Sequence, residues 1–165
     1  MIGMERSIRR IRFVGAVATL VALAFAVPAL AGGATVTRGD IVPFADGPGL
    51  GYGAVTGRAQ MIRTGDGKTI VAVQVNGLTP GSTYGSHVHS QTCAVGNAGG
   101  HYGFGHPVAG GAGPADSEIW PGPFTANASG HATGTAIVDE TAGVTAVSVV
   151  IHGPGGQKIA CADMS

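Results

Sequence analysis

The chain is poor in charge and in aromatic rings: charged residues make up 11% of its 165 positions and aromatic residues 5%. Beyond residue 31 it has only five basic side chains, Arg38, Arg58, Arg63, Lys68 and Lys158. Eight acidic ones oppose them, for a net charge of −3. No basic patch is left to neutralise phosphates, which excludes a nucleic-acid partner. Beyond residue 31 no helix of normal length is visible, and no apolar run approaches the roughly 20 residues of a membrane span. Cysteine is equally scarce. Cys93 and Cys161 are the whole complement, and neither directly follows Ala29-Leu30-Ala31, which argues against a lipoprotein anchor.

The first 31 residues read differently from the rest. Arg6, Arg9, Arg10 and Arg12 precede the apolar stretch FVGAVATLVALAFAV, and a small-x-small triplet, Ala29-Leu30-Ala31, follows it. That order predicts a secretory signal peptide over residues 1–31 and a mature domain over residues 32–165, the alternative being a leader kept as a membrane anchor, for which its 15-residue apolar run is short of the roughly 20 a span needs. The expectation is a secreted or periplasmic protein with no stable membrane anchoring once the leader is cleaved. Export sets the redox context. In an oxidising compartment Cys93 and Cys161 are expected to pair, the alternative being a pair of thiolate metal ligands.

Thirty glycines and nine prolines punctuate short β-branched runs, which predicts an all-β domain rich in turns. Strands are predicted over residues 52–64, 68–78, 83–89, 123–126, 131–139, 144–152 and 157–164. In the second, Val71, Val73 and Val75 occupy one face and Ile70, Ala72 and Gln74 the other. Between residues 90 and 121 nothing looks regular. A glycine-rich loop that long in a compact β domain is usually functional.

Six histidines lie beyond residue 31: His87, His89, His101, His106, His131 and His152. His87 and His89 share one strand face, because side chains alternate with period two. His101 sits in the glycine-rich loop, where the backbone can fold back, and His152 ends another strand. Four imidazoles from three segments suit a borderline metal such as copper or zinc. His131, beside a turn, is expected to face solvent. Trp120 and Phe124 are expected to plug the base of the loop. Asn127-Ala128-Ser129 forms a glycosylation sequon, meaningful only in a eukaryotic secretory route.

The stretches GSTYGSHVHSQTC, NAGGHYG and VVIHGPGGQKIAC resemble the copper/zinc superoxide dismutases. That family's pattern runs H-x-H, a nearby cysteine, A-G-x-H, a later strand ending in V-x-H, and finally R-[IL]-A-C-G. The resemblance extends from about Tyr52 to Met164. It implies a Greek-key antiparallel β-sandwich or flattened barrel with a long glycine-rich metal-site loop. It also implies that His87, His89, His101 and His152 ligate copper and that Cys93 and Cys161 form an intrasubunit disulfide. The implied reaction is dismutation of superoxide to oxygen and hydrogen peroxide. In that role Lys158 would attract the anion and His101 would carry a proton.

Three departures bear on that reading. A zinc site would need two further histidines and an aspartate after His101, whereas the loop offers only His106 before Asp116 and Glu118. Three such ligands fall short of a structural zinc site, so zinc is not expected. Residues 153–157, GPGGQ, stand where the family inserts a long charged loop. Lys158 replaces arginine, keeping the charge but not the rigid fork of donors. These departures make the copper-only members the nearest resemblance. With no zinc to orient the far nitrogen of His101, a carboxylate is expected to do so, Glu118 before Asp116. Two other functions remain open: a non-enzymatic copper-binding or copper-buffering protein, and a structural or adhesion domain with a vestigial site.

Overall fold

A computed structural model describes residues 33–165; the expected leader, residues 1–31, lies outside the described residues. Among the described residues eight strands form: β1 (Thr35–Pro43), β2 (Thr56–Arg63), β3 (Thr69–Asn76), β4 (Thr83–His89), β5 (Phe124–Thr125), β6 (Ala132–Val138), β7 (Ser148–His152) and β8 (Lys158–Asp163). All pair antiparallel, in the order β5-β4-β7-β8-β1-β2-β3-β6. The β3–β6 and β4–β7 neighbours are not consecutive in sequence, so the connections cross the ends of the barrel as in a Greek key. The two edge strands come together through their own turn, where Asn127 N–H donates to the carbonyl of His131 at 2.9 Å. The sheet thus rolls into the expected flattened barrel. A 3-10 turn at Pro114–Asp116 interrupts the long loop. Among the described residues no helix is long and apolar enough to cross a membrane.

Alternation along the strands fills the interior. Val71, Val73 and Val75 of β3 are buried, while Ile70, Ala72 and Gln74 on the opposite face are half-buried. Ile41, Met61, Tyr84, Val88, Val138, Val149, Ile151 and Ile159 complete the same core. Each fully buried side chain of this size contributes roughly 1.5–3 kcal/mol. β7 differs in being buried on both faces. Val149 and Ile151 point into the barrel, whereas Val150 packs outside it against Phe44, Ala98, Cys93 and Cys161. Cys93 and Ala98 in that outer cover belong to the start of the glycine-rich loop. The Cys93–Cys161 disulfide pins it to β8 across 68 positions of sequence.

Three elements depart from the sequence reading. β2, expected from residue 52, starts at Thr56, because the segment before it is a turn closed by Val55 N–H donating to the carbonyl of Tyr52 at 3.0 Å. β1 was not anticipated: only Ile41 of its nine residues is buried, so it carries no apolar alternation. What defines it is its fit between β2 and β8. A Cβ on Gly39 would lie 2.0 Å from the carbonyl oxygen of Asp163, so only glycine allows β1 to cross there. β7 starts at Ser148 and not at residue 144. Val144 is 93% exposed, and the Arg63 guanidinium holds the preceding segment as a turn. Its nitrogens donate to the carbonyls of Ala142, Gly143 and Ala146 at 2.8, 3.3 and 3.1 Å.

The disulfide closes a long loop, so its loss should release much unfolded-chain entropy. Cys93→Ser or Cys161→Ser should cost about 4 kcal/mol in the chain-entropy model. For a domain of this size that lowers the melting temperature by roughly 10–20 °C in calorimetry. A shift of a degree or two would show that the loop is held by its other contacts alone.

Candidate metal centre

β4 sends Tyr84, Ser86 and Val88 inward and His87 and His89 outward. Pairing with β7 sets Gly85 opposite His152 and His87 opposite Val150. Gly85 matters because a Cβ there would lie 3.4 Å from the Cβ of His152 and 3.7 Å from Nε2 of His87. The glycine-rich loop then folds back along β4. Tyr102 N–H donates to the carbonyl of Val88 at 2.8 Å, and Ser90 N–H to that of Gly100 at 3.1 Å. His101 forms an antiparallel bridge with His89. Four imidazoles from β4, the loop and β7 converge, with one ligand atom of each within 4.8 Å of the others.

Hydrogen bonds decide which nitrogen each ring offers. Nδ1–H of His89 donates to the carbonyl of Gly99 at 3.2 Å, and Nδ1–H of His152 to that of Gly156 at 3.0 Å. Nδ1–H of His101 donates to Oε2 of Glu118 at 2.7 Å. Each of these rings therefore turns Nε2 inward. The Nε2 atoms of His89 and His152 are 3.4 Å apart, and Nδ1 of His87 is 2.9 Å from Nε2 of His101. Three Nε2 atoms and one Nδ1 atom face a common point. Such fixing of the far nitrogen sets the tautomer and raises ligand basicity.

Burial grades the four rings. His89 is fully buried, His152 is 7% exposed and His87 is half-buried, while the His101 side chain is 32% exposed. His87, His101 and His152 border an open cleft of about 630 Å³ together with Thr83, Pro123 and Pro154. Burial chiefly, and then the neighbouring rings of His101, His152 and His89, push His87 down to about 3. His89 falls to about 4, first through burial and then through His101, Lys158 and His152. Burial is also the main cause that lowers His152. These rings stay neutral near pH 7, the state that ligates metal.

The other anticipated residues fall in different places. Nζ of Lys158 donates to the carbonyls of Asn97 and Gly99 at 2.7 and 2.6 Å and does not line the cleft. Asp116 is exposed; its carbonyl accepts from Val108 N–H, and its carboxylate is not a partner of His101. His106 Nε2 pairs with Glu140 at 2.9 Å, and His131 Nδ1 with Asn76 at 3.0 Å, both outside the cluster. Phe124 joins the core. Trp120 does more than plug the loop. Its ring lies 4.3 Å from that of His87, and its Nε1–H donates to Oε2 of Glu118 at 2.7 Å. The sequence signal for it was Glu-x-Trp, two positions apart in an extended segment. A larger cleft of about 800 Å³ lies beside the disulfide near Arg38, Arg58 and Asp163, and it contains none of the histidines.

A stability consequence follows for the metal-free protein. The unfolded chain protonates its histidines as pH falls through about 6.5, whereas His87 and His89 resist until about 3 and 4. Between those limits the unfolded state binds more protons, so stability falls as pH falls. Metal-free protein should lose melting temperature from pH 6.5 toward pH 4, and His87→Gln should flatten that slope. An identical slope in wild type and variant would contradict the burial of a neutral ring.

No family model matches the chain, and no curated protein matches it. Among solved structures it is similar to the clock protein EA4, with a TM-score of 0.58 and 18% sequence identity over 79% of this chain and 93% of that chain, a likeness of fold.

Proposed function

We propose that the chain is an exported copper protein that dismutates superoxide. The observation that carries this reading is the convergence of three Nε2 atoms and one Nδ1 atom from four imidazoles beside an open cleft. The donor set fits the metal: imidazole nitrogen suits copper, while the absence of carboxylate from the set disfavours calcium and magnesium. His87, His89, His101 and His152 would hold the ion. When bound, copper supplies a one-electron couple that oxidises one superoxide to oxygen and reduces a second, which leaves as hydrogen peroxide with two protons.

The chain's own residues supply the rest. His89 and His152 anchor the site from the buried side, tied to the carbonyls of Gly99 and Gly156. His87 and His101 border the cleft from which a small anion arrives. Glu118 holds the proton on Nδ1 of His101. A second proton taken up at Nε2 leaves an imidazolium facing that carboxylate, a charge-assisted pair. His101 is thus the ring equipped to pass a proton to the cleft. Lys158 acts from behind. By donating to the carbonyl of Gly99, it braces the same oxygen that fixes His89.

One observation favours a second reading, a copper-binding protein without turnover. No lysine or arginine lines the cleft among the described residues, so local attraction for an anion is weak. A single experiment separates the two. The protein is loaded with one equivalent of copper, stripped of free metal and mixed with superoxide. Copper-dependent decay well above the spontaneous rate is expected; tight binding without decay selects the second reading, and no tight binding contradicts both. His152→Ala should abolish the copper(II) visible spectrum and His131→Ala should preserve it.

A further inference from the structure

We propose that Trp120 is a positioning residue of this centre, acting through Glu118 to fix the tautomer and orientation of His101. The inference rests on the copper reading for its consequence but not for its geometry. Oε2 of Glu118 accepts two hydrogen bonds of 2.7 Å, one from Nδ1–H of His101 and one from Nε1–H of Trp120. An indole N–H can only donate. It therefore holds the carboxylate in its acceptor state without competing for the His101 proton.

The surrounding backbone is built to hold this trio. Glu118 and Trp120 stand two positions apart on one face of an extended segment, with Ile119 between them fully buried in the core. Glu118 exchanges both backbone hydrogen bonds with Ala112, at 2.9 and 3.0 Å, and bridges to Gly103 as well. Gly113 opens the space, since a Cβ there would lie 2.9 Å from Oε2 of Glu118 and 3.0 Å from the Trp120 ring. Its φ of +71° is also a conformation that suits glycine. The main chain of Glu118 is clamped, and the indole aims its side chain.

Trp120 bears on two candidate ligands, one directly and one through Glu118. Its ring lies over that of His87, 4.3 Å between centroids at an interplanar angle of 36°. Its N–H reaches His101 through the carboxylate, and the His87 and His101 rings are 4.1 Å apart. A single side chain thereby links the strand-borne and loop-borne halves of the site. The far nitrogen of His101 faces a hydrogen-bonded pair of protein groups, where a second metal ion would otherwise have to be held.

The test separates aiming from packing. Trp120→Phe keeps an aromatic ring over His87 and removes only the donor. Losing an outer partner of a metal ligand typically costs about 10–100-fold in affinity. Trp120→Phe should accordingly weaken copper(II) binding by roughly 10-fold in a chelator competition. It should also alter the copper(II) paramagnetic resonance spectrum. Glu118→Gln should weaken binding too. If Trp120 acts through Glu118, adding Trp120→Phe to Glu118→Gln should bring little further loss. Imidazole nitrogen resonances of the metal-free protein give an independent readout. His101 should be the Nδ1–H tautomer in wild type and a mixture of tautomers in Trp120→Phe. A wild-type affinity and tautomer in Trp120→Phe, or losses that simply add in the double variant, would overturn the proposal. Failure of wild type to bind copper would sink the functional reading, while the tautomer measurement would still decide the role of Trp120.

Discussion

The structure depends on the register between β4 and β7. Pairing Gly85 with His152, His87 with Val150 and His89 with Ser148 places three histidines on the same outer face of adjacent strands. Because strand side chains alternate, a slip of one residue would send His87 and His89 into the barrel and Ser86 and Val88 out of it. The hydrophobic side of β4 forbids that slip. Tyr84 and Val88 are buried in the core, and on β7 Val149 and Ile151 make the same demand. The barrel's packing energy is therefore what aligns the imidazoles. The site itself spends stability, since it crowds neutral rings in a partly buried place where protonation is suppressed.

The loop completes what the strands begin. Nothing in residues 90–121 forms a strand, yet the segment is ordered by attachments at several points. The disulfide ties its start to β8, and Lys158 binds the carbonyls of Asn97 and Gly99. A bridge from His101 to His89 folds it against β4, and bridges from Gly103 and Ala112 to Glu118 fold it back on itself. Two of the groups so held also fix a ring. The carbonyl of Gly99 orients His89, and the carboxylate of Glu118, held by Trp120, orients His101. Glycine makes this possible because the loop turns repeatedly through positive φ, at Gly96, Gly99, Gly105, Gly110 and Gly113 among others. The hydrogen bonds that orient His89 and His101 are thus part of the loop's own architecture.

What was legible in the sequence follows from how local each signal is. β4 was readable to the residue, and β3 to within two, because apolar and polar positions alternate and turns flank them. The spacing of His87 and His89 declared their common face for the same reason. β1 was not readable, since its course is imposed by β2 and β8 and not by its own apolar pattern. The start of β7 was misplaced because Arg63, some 80 positions away, captures the carbonyls before it. At the centre, the grouping of His101 with the strand histidines followed from motif order, and the sequence already pointed to Glu118 before Asp116 as its carboxylate partner, which stands 2.7 Å from Nδ1 of His101; the reason for that preference was not legible. Asp116 and Glu118 are both acidic and two residues apart, and only the 3-10 turn at Pro114–Asp116 shows why one faces solvent and the other faces His101. Trp120 read as a plug because aromatic residues usually pack; Glu-x-Trp put it on the face of Glu118, but that spacing alone does not distinguish a hydrogen bond from mere neighbours.

The central claim is that four imidazoles of fixed tautomer form one copper site. A crystal structure of copper-loaded protein, with the ion located by anomalous scattering at the copper edge, tests it most directly. The account predicts one copper ion within bonding distance of Nδ1 of His87 and Nε2 of His89, His101 and His152, with Glu118 retained on Nδ1 of His101. Copper bound elsewhere, at His106 or in the cleft beside the disulfide, or bound to the opposite ring nitrogens, would contradict it.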